Sequence, residues 1–180
     1  MSTLLENQFH PPPGPLAVFF ASLDIRGCGF ITKKDLHILV DQFCTHHPLS
    51  FVQKKLLLVM LSQGFSRCAS QKGQLSWSDI MVHAPKLLLF FGPYIEDTRV
   101  YTQQVSKRFQ DISNNSSTLS SQRLIQHCES NLPRMCPNKK LLSAFLAYTL
   151  CVLCAGKNQV TEEMWCDTAL ALLFEVNAHR

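Results

Sequence analysis

One short pattern recurs four times along this chain, a leucine or β-branched residue followed at once by a hydroxyl residue. The copies are Ile31-Thr32-Lys33-Lys34-Asp35-Leu36, Leu75-Ser76-Trp77-Ser78-Asp79-Ile80, Leu119-Ser120-Ser121-Gln122-Arg123-Leu124 and Val160-Thr161-Glu162-Glu163-Met164-Trp165. Their first positions, 31, 75, 119 and 160, lie 44, 44 and 41 residues apart, the signature of a repeated supersecondary unit. In each copy the hydroxyl can accept a hydrogen bond from an otherwise unpaired N–H of a first helical turn. In the first two, an Asp three places on completes a box-like cap. The pattern therefore predicts four helix starts. Two residues before each aliphatic stand Gly29, Gly73, Ser117 and Asn158, and Gly and Asn accept positive φ most readily, so a turn is expected there.

Helical periodicity precedes each turn, over Pro15 to Leu23, Phe51 to Phe65, Glu96 to Ile112 and Asn138 to Cys154, with apolar residues three or four apart. The organisation expected is all-α: helix, short loop, capped helix, four times over. Connectors at 45–50 and 131–137 carry proline and polar residues, and Pro85, Gly92 and Pro93 bracket the apolar run Leu87, Leu88, Leu89, Phe90 and Phe91. This predicts a flexible segment over 1–14, a first pair of units over 15–90 and a second, more divergent pair over 91–180.

A chain of 180 residues with 46% hydrophobic content can fill a core, which excludes a disordered or fibrous class. The net charge of +4 comes without a long basic run, so nucleic-acid binding is not expected. The opening MSTLLENQFHPPPGP lacks the basic, apolar and small-residue parts of a signal peptide, which points to the cytoplasm. Leu141 to Ala155 is too short and too polar for a membrane span and reads as a buried core helix. Eight cysteines lie at 28, 44, 68, 128, 136, 151, 154 and 166, several inside apolar helical patterns, and read as reduced, mostly buried thiols.

The first unit, FFASLDIRGCGFITKKDLHILV, resembles an EF-hand of the calmodulin superfamily. Its loop would run from Asp24 at position 1 through Gly29 at 6 and Ile31 at 8 to Asp35 at 12. The second loop would span Cys68 to Asp79, keeping Gly73 and Leu75, the third Ile112 to Arg123 around Leu119, and the fourth Leu153 to Met164 around Val160. The resemblance implies that each position-6 glycine makes a sharp turn. It also implies that the position-8 aliphatics pair through short β-bridges, giving two pairs of EF-hand-like units, with oxygens at positions 1, 3, 5, 7, 9 and 12 as the family's ion ligands.

The loops depart from that ligand set. Calcium takes 6–8 oxygens, whereas the first loop offers Asp24 and Asp35 but places Arg26 at position 3 and Cys28 at position 5. The second has Cys68, Lys72 and only Asp79, the third closes on Arg123, and the fourth has Leu153, Lys157 and Met164. A guanidinium opposes the cation and a thiol is too soft for it. No calcium cofactor is therefore expected, Asp24 and Asp35 being the weak candidates. Zinc is not expected either, since Cys151-Val152-Leu153-Cys154 has no second pair and Cys44-Thr45-His46-His47 reads better as a helix end. Nothing in the chain suggests a nucleophilic triplet, paired carboxylates or a phosphate loop, so no enzyme is predicted.

The resemblance implies a calcium-independent adaptor or light-chain-like subunit that recognises an amphipathic helix of a partner protein. Leu87 to Phe91 must be buried between the halves or against a partner. The alternatives are a weak calcium sensor acting through the first loop and a structural helical subunit of a cytoskeletal or ciliary assembly.

Overall fold

The computed structural model of the chain describes residues 14–156 and 159–179. The expected flexible segment 1–14 therefore lies almost wholly outside the described residues, as do Lys157 and Asn158 of the fourth loop. Within the described residues the protein is all-α, with eight helices and four very short strands. The first half runs α1 (Pro15–Leu23), β1 (Phe30–Ile31), α2 (Lys33–His46), α3 (Phe51–Cys68), β2 (Leu75–Ser76) and α4 (Trp77–Phe91). The second half repeats the order as α5 (Thr98–Ser113), β3 (Thr118–Ser120), α6 (Ser121–Asn131), α7 (Lys139–Leu153), β4 (Gln159–Thr161) and α8 (Glu162–Ala178).

The even-numbered helices begin at the hydroxyl residues of the repeat. Thr32, Ser76, Ser120 and Thr161 are the N-caps of α2, α4, α6 and α8. Ser76, Ser120 and Thr161 each accept from a backbone N–H three residues on, at 3.2, 3.3 and 3.2 Å. Capping boxes close α2 through Asp35 and α4 through Asp79. The apolar residue before each cap lies in a strand. β1 pairs with β2 antiparallel, Ile31 opposite Leu75, and β3 pairs with β4, Leu119 opposite Val160. Each bridge joins one helix–loop–helix unit to its neighbour.

The hydrophobic interior does not divide at residue 90, although the chain order does. One cluster holds Phe20, Leu23, Ile31, Leu39, Phe43, Leu57 and Phe65 of the first half together with Ala144 and Phe145 of α7. The other holds residues of α5 to α8, around the fully buried Trp165, together with Met81, Ala84, Leu88 and Phe91 of α4 and Leu16 of α1. α4 thus starts at the β-bridge of the first pair and ends in the core of the second. Pro85, expected to help bracket the apolar run, stands inside α4 without ending it. Proline costs a helix interior one N–H donor, and burial of Ala84, Leu88 and Phe91 on either side holds the helix through it. The C-terminus of α4 is fixed from the second half: Arg108 donates to the Leu89 carbonyl at 2.6 Å and His127 Nε2 lies 2.8 Å from the Phe90 carbonyl.

The first and last helices are tied together by one side chain. Gly14, the N-cap of α1, has no side chain to cap with, and the first turn of α1 has no acid of its own. Glu175 of α8 accepts from the N–H groups of Leu16 at 3.0 Å and Ala17 at 2.9 Å. A Cβ at position 14 would overlap that carboxylate, so glycine is what permits the approach. Glu175→Ala leaves two helix N–H groups without their acceptor. It is expected to cost about 1–2 kcal/mol in urea denaturation, with Glu175→Gln recovering part of the loss.

Candidate functional site: loops and an interhelical groove

The four loops are the positions where the sequence allows ion chemistry, and their geometry shows what occupies the available oxygens. In the first loop Asp24 follows α1, its Oδ1 accepting from the Cys28 N–H at 2.9 Å and its Oδ2 from the Gly29 N–H at 2.8 Å. Gly29 has φ +83° and Gly73 of the second loop φ +76°, the left-handed conformation expected of both. Asp35 is buried in the first turn of α2, and its Oδ2 accepts from the Thr32 N–H at 2.8 Å and the Thr32 hydroxyl at 3.0 Å. Asp79 does the same in the second loop, accepting from the Ser76 N–H at 3.0 Å. The Ser76 backbone N–H first, then the Ser70 hydroxyl, hold the Asp79 carboxyl down to about 2.

The turn of the third loop differs from expectation, and Asn158, where the fourth was expected, lies outside the described residues. In the third loop the left-handed residues are Asn114 and Asn115, at φ 56° and 60°, not Ser117. Asn114 is the C-cap of α5, so the chain turns on leaving the helix rather than just before the strand. In the fourth loop Ala155 takes φ 55°. The third loop contains no acid, and the fourth has Glu162 and Glu163, already within α8, where Glu162 accepts from the Ser106 hydroxyl.

This donor set does not fit calcium. The carboxylates of the first two loops hold backbone and hydroxyl donors of their own loops, and Arg26 and Cys28 stand exposed where the first loop needs oxygens. Among the described residues no three His, Cys, Asp or Glu side chains are grouped to hold a metal ion. Of the eight cysteines only Cys128, Cys151 and Cys154 are buried, fewer than the sequence suggested, and Cys28 is exposed. Burial pushes the Cys128 and Cys154 thiols up to about 12, which suppresses the thiolate that redox or metal chemistry requires.

The run Leu87 to Phe91, a candidate partner surface, is mostly interior. Leu88 and Phe91 are fully buried, Phe91 against the Trp165 ring at 4.3 Å between centroids, and Leu87 and Phe90 are half-buried against the same core. Leu89 alone projects, at 54% exposure. Helical spacing sends residues 88 and 91 to one face, and that face meets α8. The five residues therefore do not form one surface.

A larger apolar concavity lies elsewhere, and single-sequence reasoning missed it because it assembles from helices far apart in the chain. Val18 and Phe19 of α1, Trp77 of α4, Val152 of α7, and Ala171 and Phe174 of α8 line a groove of about 920 Å³. Val18 and Phe174 are 56% and 55% exposed. Glu175 on its wall is engaged by α1, and His179 packs edge-on against Trp77. The groove is therefore mainly apolar, with Ser22, Glu175 and His179 as its polar side chains. The only sequence signal is that Val18 and Phe174 are apolar residues left over from the buried stripes of their own helices.

Comparison with protein-family models, with curated proteins and with solved structures gives no match.

The low position of Asp79 has a consequence for acid stability. With its folded value near 2 and its ordinary value at 3.8, its contribution is fully present above 3.8 and is lost as pH falls through about 2. Denaturation followed between pH 5 and 2 should show a loss of stability that Asp79→Asn flattens, the variant being less stable than wild type at neutral pH and closing the gap in acid.

Proposed function

We propose that this protein is a degenerate EF-hand-like adaptor that binds a helical segment of a partner protein without calcium. The observation that carries the reading is the combination of loops closed by their own hydrogen bonds with a preformed apolar groove between α1, α4, α7 and α8. A calcium sensor couples ion binding to opening of a groove. Here the carboxylates of the first two loops are already engaged by donors of their own loops, which supports a response that no ion switches. A groove of this size, lined by Val18, Phe19, Trp77 and Phe174, offers sockets for side chains three and four residues apart on an amphipathic helix. The pairing of Ile31 with Leu75 and of Leu119 with Val160 supports the family reading, since those are the aliphatic positions that the resemblance singles out.

Partners retained from cell extract should be the same in millimolar calcium and in chelator. They should be lost from a Val18→Asp/Phe174→Asp variant that unfolds at the wild-type temperature. Partners retained only with calcium, together with a calorimetric heat of calcium binding that Asp24→Ala removes, would establish the sensor in its place.

A further inference from the structure

The outer face of α3 is a second surface with a definite chemistry. α3 is the longest helix of the described residues, yet only Leu57 and Phe65 of its 18 residues are fully buried. Val52 and Val59 stand 72% and 53% exposed, and the half-buried Leu56 lies between them at the same helical spacing, outside both hydrophobic clusters. An apolar stripe at i, i+4 and i+7 on an otherwise solvent-facing helix is the form of a helix–helix contact.

Charge specifies what would cover it. From Gln42 to Ser78 the chain has no Asp or Glu, while it carries Lys54, Lys55, Arg67 and Lys72. Lys54 is satisfied by Asp41 at 2.6 Å, the one salt bridge among the described residues. Lys55 leans over the exposed Phe51 ring, and Arg67 stands at the far end of the stripe. Beside the stripe, Lys33 of α2 joins Leu58, Val59, Ser62, Gln63 and Arg67 around a shallow groove of about 530 Å³. Lys33 and Lys34 occupy the first turn of α2, where the helix dipole disfavours cations, and the one acid of that turn, Asp35, is turned in to Thr32.

We infer that the outer face of α3, with the start of α2, docks an acidic amphipathic helix of a partner protein. Leucine-like anchors would cover Val52, Leu56 and Val59, and carboxylates would meet Lys33, Lys55 and Arg67. This surface shares no residue with the groove of the proposed function. Two separate surfaces are what an adaptor that bridges two proteins requires, and failure of one leaves the other intact.

The test uses the full chain and two synthetic 18-residue helices labelled with fluorescein. Both carry leucines three and four apart, one flanked by glutamates and the other by lysines, and anisotropy reads binding at low salt. The acidic peptide should bind at least about tenfold more tightly than the basic one. Lys55→Glu/Arg67→Glu should reverse that order, Val59→Asp or the still more exposed Val52→Asp should abolish binding, and Val18→Asp/Phe174→Asp should leave it unchanged. Thermal unfolding of each variant verifies that it is folded. Equal affinity for the two peptides, an order unmoved by charge reversal, or loss of binding only in the groove variant would each overturn the inference. So would capture by phosphatidylserine vesicles with no binding of the acidic peptide, which would make α3 a membrane-facing surface.

Discussion

Two antiparallel bridges only two or three residues long set the positions of the helices around them. Each bridge residue is followed at once by an N-cap, so pairing Ile31 with Leu75 and Leu119 with Val160 also fixes where α2, α4, α6 and α8 begin. A pair this short is marginal alone. It persists because Ile31, Leu119 and Val160 are each buried almost completely in the clusters behind the bridges. Burial of the aliphatics and capping of the helices are thus supplied by adjacent residues of one repeated pattern. The spacing of the repeat becomes the spacing of the helix–loop–helix units.

The loops between those helices are held by their own groups. Asp24 collects the N–H groups of Cys28 and Gly29, Asp35 collects Thr32, and Asp79 collects Ser76 and Ser70. Carboxylates used in this way are strong acceptors for backbone donors. They do not need a cation to order them, and their neighbours Arg26, Cys28 and Lys72 would oppose or ill suit one. The apolar groove is built apart from these loops, where α1, α4, α7 and α8 meet.

The helix starts were legible because an N-cap and its partner sit within four residues, so the signal for them is local. The same holds for the positive φ of Gly29 and Gly73. The turn of the third loop comes two to three residues before Ser117: Asn114, the C-cap of α5, and Asn115 are both left-handed, and Ser-Asn-Asn-Ser is a readable signal for it. Pro85 looked like a boundary because local rules weigh a proline against the helix. The burial of Leu88 and Phe91 against the second half, which decides the matter, is a contact with residues that the local pattern does not contain. The interlocking of the two cores, the reach of Glu175 to α1 and the composite groove are long-range in the same sense. No periodicity within one helix encodes them. The charge asymmetry of α3 was visible in the chain, but its meaning depended on knowing that Val52, Leu56 and Val59 face outward.

The central claim, that these loops are ordered by protein groups, is tested most directly by amide hydrogen exchange in the presence of a chelator. The N–H groups of Cys28, Gly29, Thr32 and Ser76 each donate to a loop carboxylate and should be protected to the same degree with chelator and with calcium. Rapid exchange at these four amides in chelator, slowed only when calcium is added, would contradict the account.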